Sequence, residues 1–148
     1  MKLAGKTAIV TGGGRDIGAA VAIKLASEGA NVAINYFSTG ADETVAKIKA
    51  NGGQAFAMQG DLKNEDDVNA LVAKTVETFG SVDVLVNNAG ILRDKSFAKM
   101  TIEDFRAVLE VHLMGSVICS KAVWPIMKAQ QYGRIVMTTS VTGLYGNF

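Results

Sequence analysis

The chain has 148 residues, of which 49% are hydrophobic and 20% charged. This length fits one domain with a substantial core, and the composition excludes an intrinsically disordered chain. Because 15 Lys and Arg nearly balance 14 Asp and Glu, the formal net charge is +1, and we expect no nucleic-acid partner.

The sequence also constrains the location of the protein. Cys119 is the only cysteine, so an internal disulfide is excluded, and its mostly apolar helical setting favours a buried structural thiol. The first ten residues lack a signal-peptide pattern, and no apolar segment is expected to reach membrane-spanning length. We therefore expect a cytoplasmic protein with no membrane partner.

Short apolar runs alternate with segments of helical periodicity along the chain. The runs predict strands, in chain order, at residues 7–10, 31–36, 54–58, 82–86 and 134–138. The segments between them predict helices at 17–30, 42–50, 65–79 and 101–131. Thr101 and Asp104 form a predicted capping box at the start of the last helix, and Pro125 is expected to kink or divide it.

The predicted strands are continuous apolar runs and do not alternate between apolar and polar residues. Strands of that kind are covered on both faces. The alternation of strand and helix therefore predicts an α/β fold of the Rossmann type: a doubly wound parallel sheet with helices on both faces.

The first strand and first helix are joined by a glycine turn that reads T-G-G-G-R-D-I-G over residues 11–18. Glycine lets the backbone approach a diphosphate closely, and the helix amino terminus offers free N–H groups and the positive end of its dipole. The turn predicts a dinucleotide site, although tight strand-to-helix turns also use glycine for shape alone.

The end of the second strand indicates which dinucleotide would bind. An acidic residue there holds the ribose hydroxyls of NAD, but this chain has N-Y-F-S at residues 35–38. With no carboxylate to repel a ribose phosphate, and with Arg15 able to attract one, NADP(H) is favoured over NAD(H). A neutral Asn35 or Ser38 could serve either cofactor.

These residues resemble the short-chain dehydrogenase/reductase family over essentially the whole chain. The turn of that family reads T-G-x-x-x-G-x-G, and Asp16 stands where its middle glycine is expected. The carboxylate would lie near the diphosphate, or would cap the first helix with Arg15 partly neutralising it. The resemblance implies a set of cofactor-binding residues in the turn and at the end of the second strand: Gly12, Gly14, Arg15, Asp16, Ile17, Gly18, Tyr36 and Ser38.

Two further motifs carry the same resemblance. Asp61 and Leu62 look like the family's pair whose acid contacts the adenine amino group, although Asp61 could equally cap the following helix. Residues 87–90 match the family's N-N-A-G signature. The resemblance implies that Asn88, Ala89 and Gly90 both steady the sheet and line the cofactor site.

The resemblance also supplies candidate catalytic residues. Ser140 follows the fifth strand, where the family's serine donates to the substrate carbonyl oxygen, although serine at a strand end is also a common turn former. His112 stands at the position of the family's helical asparagine, which helps to hold a proton-relay water, but a lone histidine in an apolar helix is usually a packing residue. No metal site is predicted.

The family's acid/base tyrosine, with a lysine four residues after it, follows the serine by a dozen or so residues. This pair is not in the chain, so we expect residues 1–148 to be the dinucleotide-binding, amino-terminal portion of a longer single-domain enzyme. The sheet is expected to be incomplete at the carboxyl terminus, and the portion alone to be inactive.

The resemblance implies an NAD(P)-dependent oxidoreductase that interconverts a ketone and a secondary alcohol. The amino-terminal half is similar to 3-oxoacyl-carrier-protein reductases. His112, Trp124, Pro125 and the G-L-Y-G-N-F run at 143–148 resemble (3R)-hydroxyacyl-CoA dehydrogenase units. Both indicate a 3-oxoacyl or 3-hydroxyacyl thioester as the small-molecule substrate. The alternative is a sensor or scaffold domain that binds dinucleotide without chemistry.

The 101–131 segment resembles the helices through which this family forms dimers and tetramers. Its apolar residues lie on more than one side, which exceeds what one sheet face would cover; they include Val108, Val111, Val117, Ile118, Val123 and Trp124. We expect a homodimer or homotetramer.

Overall fold

The computed structural model of the protein describes residues 1–146. Asn147 and Phe148, the last two residues of the 143–148 run, lie outside the described residues. The strands are β1 Thr7–Val10, β2 Asn31–Tyr36, β3 Ala55–Gln59, β4 Val84–Asn87 and β5 Arg134–Met137. The helices are α1 Asp16–Ser27, α2 Asp42–Ala50, α3 Glu65–Phe79, α4 Ile102–Leu109, α5 Gly115–Gln130 and α6 Thr142–Tyr145.

The five strands form one parallel sheet in the order β3-β2-β1-β4-β5. The chain winds outward from β1 to β3 and then returns to the other side of β1, so the strand order reverses between β1 and β4. This arrangement confirms the predicted doubly wound Rossmann-type fold.

Each face of the sheet has its own core. On one face Ala22 and Ala26 of α1 pack with Ile48 of α2 against strand residues such as Val10 and Ile34. The small residues on α1 let that helix approach the sheet closely. The other face holds α3 and α5, with buried side chains at Val68, Leu71, Val72, Cys119, Val123 and Met127. Alternate residues of one strand serve the two cores, which explains why the strands are apolar throughout.

The long helical segment is interrupted at a different place from the one expected. A π-helical turn, Glu110–Met114, joins α4 to α5, whereas α5 continues through Pro125 to Gln130. Of the two effects predicted for Pro125, a kink or a division of the helix, division is therefore wrong. Lys121 and Pro125 are both on the exposed side of α5, so water can bond the carbonyl that proline leaves without a partner. The predicted capping box is confirmed, since the Asp104 N–H lies 3.1 Å from Thr101 Oγ1 and the Thr101 N–H lies 3.3 Å from the Asp104 carboxylate.

The same segment contradicts the expectation that no apolar segment reaches membrane-spanning length. By length and composition alone, the 29 residues Ile102–Gln130 could cross a membrane, with a mean hydropathy of 1.3 over the most apolar window, of which 17% is buried. In the fold, α5 docks on the sheet through Cys119, Val123 and Met127. Leu113 of the π-helical turn and Val117 and Trp124 of α5 are exposed.

Candidate cofactor site

A cleft of about 900 Å³ opens where the strand order reverses, at the carboxyl ends of the strands. Its lining comes from the segments that follow β1, β2, β3 and β4, together with the π-helical turn. In an open α/β sheet the carboxyl ends of the strands meet at this crevice, which is where such folds bind ligands. The segments predicted separately from the sequence are therefore brought together in one site.

The glycine turn after β1 is packed directly against the N-N-A-G segment after β4. Gly12 has a φ of 61°, and a Cβ added to it would lie 2.9 Å from the Ala89 Cα. A Cβ on Gly18 would lie 2.5 Å from Asn88 Nδ2 and would collide with the Gly12 carbonyl oxygen. No side chain fits at either position without moving the backbone or the Asn88 amide.

Thr11 ties the same two segments together by hydrogen bonds. Its Oγ1 accepts from the Asn88 N–H at 3.0 Å and from the Ala89 N–H at 3.1 Å. The Asn88 amide donates in return to the Thr11 carbonyl at 3.0 Å and to the Gly12 carbonyl at 3.3 Å. The Asn88 side chain thus joins the turn after β1 to the segment after β4, and Asn88 also lines the cleft.

The amino terminus of α1 faces this cleft without a side-chain cap. Arg15 is the N-cap residue and makes no capping hydrogen bond, in contrast to Asn64 of α3 and Thr101 of α4. Because the first N–H groups of a helix need partners, these amides suit an anion. The alternative in which Asp16 caps the helix is wrong, since Asp16 is the first residue of α1 and its side chain is 81% exposed.

Asp16 is unusual in conformation as well as in charge. Its φ is 49°, in the left-handed region that glycine adopts without strain. The expected neutralisation by its neighbour is present but loose, because Arg15 Nε lies 3.6 Å from Asp16 Oδ2 and both side chains are largely exposed. Gly14, Ile17 and the two charged residues all line the cleft.

At the end of β2, Asn35 has a structural role, whereas Tyr36 and the following Ser38 line the cleft. The Asn35 side chain is turned inward, where its Nδ2 donates to the Gly60 carbonyl at 3.0 Å. Asn35 is 3% exposed, so its side chain braces the loops. Tyr36 and Ser38 line the cleft, as expected.

Asp61 also lines the cleft, and it does not cap α3. The cap is Asn64, whose Oδ1 accepts from the Asp66 N–H at 2.9 Å. Asp61 instead accepts from the Lys63 N–H at 3.0 Å and pairs with Lys63 Nζ at 3.4 Å. Leu62 reaches the cleft too, but it is only 8% exposed and belongs mainly to the core under α3.

A sequence model of the short chain dehydrogenase family matches residues 6–148. The chain belongs to the short-chain dehydrogenase/reductase family. It is 47% identical over 98% of its length to a 3-oxoacyl-(acyl-carrier-protein) reductase of Synechocystis sp., of which it covers 60%. It is 43% identical over its full length to peroxisomal multifunctional enzyme type 2 of Mus musculus, of which it covers 21%. The chain thus spans three fifths or less of these two relatives.

In this short-chain dehydrogenase/reductase chain, Ser140 lies at the same edge of the sheet as the cleft but does not line it. Thr138 N–H donates to the Asn87 carbonyl at 2.9 Å, which carries the end of β5 alongside the N-N-A-G segment. Ser140 Oγ accepts from the Thr142 hydroxyl at 2.8 Å and from the Thr142 N–H at 3.2 Å. Both are accepted bonds, so the Ser140 O–H remains able to donate.

His112 sits in the π-helical turn and lines the cleft. Its Nε2 lies 3.0 Å from the Ile91 backbone nitrogen and 2.9 Å from the Ile91 carbonyl oxygen. Ser116 Oγ donates to the His112 carbonyl at 2.6 Å, which satisfies an acceptor at the irregular turn. The ring therefore contacts the backbone of the cleft and is not simply a core packing residue.

The sequence-based prediction missed several residues that line the cleft. Lys63 and Arg93 add positive charge to the lining, and Ile91 contributes backbone polar groups. Arg93 and Ile91 follow N-N-A-G, so the rule that segments after parallel strands line the crevice could have found them. The bracing role of Thr11 depends on partners 77 and 78 residues away, for which the sequence carries no local signal.

Two shifted pKa values belong to groups that support the fold. Burial raises the pKa of Asp83, but hydrogen bonds from the Thr7 N–H, the Ser81 hydroxyl and the Lys6 ammonium outweigh burial and hold that pKa below its ordinary value. These bonds join β1 to β4 at the edge opposite the cleft. Burial raises the pKa of the Cys119 thiol to about 12, in agreement with the expected structural thiol.

Proposed function

We propose that the chain is the cofactor-binding portion of an NAD(P)-dependent oxidoreductase that interconverts a ketone and a secondary alcohol. One observation carries this proposal: the amino terminus of α1, which has no side-chain cap, faces the cleft where the strand order reverses. The glycine turn beside it packs closely against the N-N-A-G segment. Free helix amides and closely approaching backbone are what a diphosphate requires.

The residues present fit a nicotinamide dinucleotide. The amides of α1 would hold the diphosphate, Asp61 would face the adenine, and Ala89 and Gly90 would lie beside a ribose. When bound, the cofactor supplies or accepts the hydride. We propose NADP(H) over NAD(H), because Arg15 and Lys63 bring positive charge to the cleft and the residues after β2 bring no carboxylate.

We propose a 3-oxoacyl or 3-hydroxyacyl thioester as the substrate. Two relatives support this class, since one is a 3-oxoacyl-(acyl-carrier-protein) reductase and another, from Saccharomyces cerevisiae, is a peroxisomal hydratase-dehydrogenase-epimerase. Ser140 would orient the carbonyl oxygen through its free O–H and stabilise developing negative charge. The proton would come from a tyrosine in the remainder of a longer single-domain protein, consistent with the partial coverage of the relatives.

Turnover by the complete protein tests this function. We expect NADPH to be consumed in the presence of a 3-oxoacyl thioester, and more slowly with simple ketones. If NADPH binds but neither the 3-oxoacyl thioester nor any simple ketone is reduced, the reaction is refuted and the sensor or scaffold alternative is favoured. Binding is read separately as a rise in melting temperature with cofactor.

We also propose that the protein is a homodimer or homotetramer that associates through α4 and α5. Leu109, Leu113, Val117 and Trp124 form an exposed apolar stripe along the outer side of this segment. Contiguous apolar surface of this kind marks an interaction site in soluble proteins.

A further inference from the structure

The contact between His112 and Ile91 contains a chemical conflict. One ring nitrogen, Nε2, lies within hydrogen-bond distance of both a donor and an acceptor, the backbone N–H and C=O of the same residue. An imidazole nitrogen without a proton can only accept, and one with a proton can only donate. The ring can therefore satisfy one of the two groups at a time.

The His112 ring lies against the backbone at Gly90 because glycine leaves room for it. A Cβ added to Gly90 would lie 2.6 Å from His112 Cε1 and 3.0 Å from Nε2, so the absence of a side chain lets the imidazole lie directly on the Gly90 backbone. The π-helical turn presents the histidine toward Gly90 and Ile91, and π-helical insertions of this type are frequent at functional sites.

We propose that His112 is a positioning residue whose Nε2 holds the Ile91 backbone in the cofactor cleft and exchanges its partner there when the ring gains a proton. The neutral ring accepts from the Ile91 N–H, with its own proton on Nδ1. The charged ring donates to the Ile91 C=O and releases the N–H. The inference rests on the proposed function, because it concerns the same cleft.

Charged groups near His112 also affect the signals by which this exchange of hydrogen-bond partner is observed. Several charged groups line the cleft with His112, and they come from the segments after β1, β3 and β4 and from the π-helical turn: Arg15, Asp16, Asp61, Lys63, Arg93 and Glu110. Glu110 shares the π-helical turn with the histidine and is the matched control. Its Glu110→Gln variant removes a nearby charge and keeps the ring.

The test is an NMR titration of the complete protein with pH, across the range in which the His112 ring gains its proton. The imidazole signals that disappear in His112→Asn are those of His112. We expect a neutral ring protonated on Nδ1, and an Ile91 amide shift that moves with the same midpoint as the ring. In His112→Asn the Ile91 amide should stop titrating, because an amide side chain donates and accepts at once. In Glu110→Gln it should still titrate.

Cofactor affinity gives a second readout. We expect the dissociation constant of NADPH to change about fivefold more across this range in the native protein than in His112→Asn, the factor that one net hydrogen bond gives. An Ile91 amide that ignores the titration of the ring, or that still titrates in His112→Asn, overturns the inference. Failure to bind NADPH at any pH would refute the proposed function alone, since the NMR titration is read without cofactor.

Discussion

Replacing Asp16 with glycine should strengthen cofactor binding with little effect on stability. Asp16 places a carboxylate at the start of α1, in a cleft lined by Arg15 and Gly18, and its backbone has a φ of 49°. The substitution removes both a negative charge and a backbone conformation that costs a non-glycine residue roughly 1–2 kcal/mol.

The loss of the negative charge and the relief of backbone strain have different consequences for folding and for binding. In folding, the relief of strain is offset by the loss of a favourable charge at the helix amino terminus, about 0.3–1 kcal/mol, and by the greater chain entropy of glycine, about 0.5–1 kcal/mol. In binding, two unit charges about 4 Å apart in a water-like medium repel by about 1 kcal/mol, which is about fivefold in affinity. Arg15 at 3.6 Å screens part of this repulsion.

The assay is calorimetric titration of the complete protein with NADPH at low and high salt. We expect Asp16→Gly to lower the dissociation constant about fivefold at low salt and less at high salt, with a melting temperature within about 4 °C of the native value. Asp16→Asn keeps a residue that tolerates the left-handed region and removes only the charge, so it should give most of the gain. Glu77→Gln, which removes an exposed carboxylate near the carboxyl end of α3 and outside the cleft lining, is the control. If neither Asp16 variant binds NADPH more tightly, the carboxylate does not oppose the diphosphate.

Four further predictions concern separate parts of the molecule. Asp83→Asn should lower the unfolding free energy near neutral pH by about 2 kcal/mol. Because the folded pKa of Asp83 is depressed, the stability of the native protein should fall as the pH drops from about 4 through that folded pKa. Urea titrations should find a smaller loss of stability over this pH range in the variant. Cys119 should resist iodoacetamide at neutral pH until the protein unfolds, and labelling of the native state would contradict its burial. Ser140→Ala should reduce kcat by about 100-fold or more with NADPH affinity unchanged, whereas Ser27→Ala should match the native enzyme in the same assay. Trp124→Glu should lower the mass seen by light scattering, and an unchanged mass would exclude the α5 stripe as the interface.

Local sequence patterns predicted most of the fold because the residues at which most elements begin and end are recognisable in the sequence. The bounds of β2, α2 and α3 coincide with their predicted ranges, where apolar periodicity and polar or glycine neighbours agree. The π-helical turn was missed because it has no composition signal of its own within a segment of helical periodicity. Pro125 was misjudged because its effect depends on which side of α5 meets water.

The site was predictable where chemistry is local and unpredictable where it depends on packing. The glycine turn and the N-N-A-G segment were expected to line one site, and the structure brings them into contact. Asp16 was open to a capping role, and its left-handed backbone conformation is not revealed by the sequence. Asn35 was considered able to serve either cofactor, and the hydrogen bond that holds its side chain on the Gly60 carbonyl shows only in three dimensions.

The central claim is that the amides at the start of α1 bind the diphosphate of a dinucleotide. A crystal structure of the complete protein with NADPH tests it most directly. We expect phosphate oxygens within hydrogen-bond distance of the backbone N–H groups in the 12–18 turn, with the adenine toward Asp61. Nucleotide bound at another surface, or a turn that stays free of phosphate at saturating NADPH, would contradict the claim.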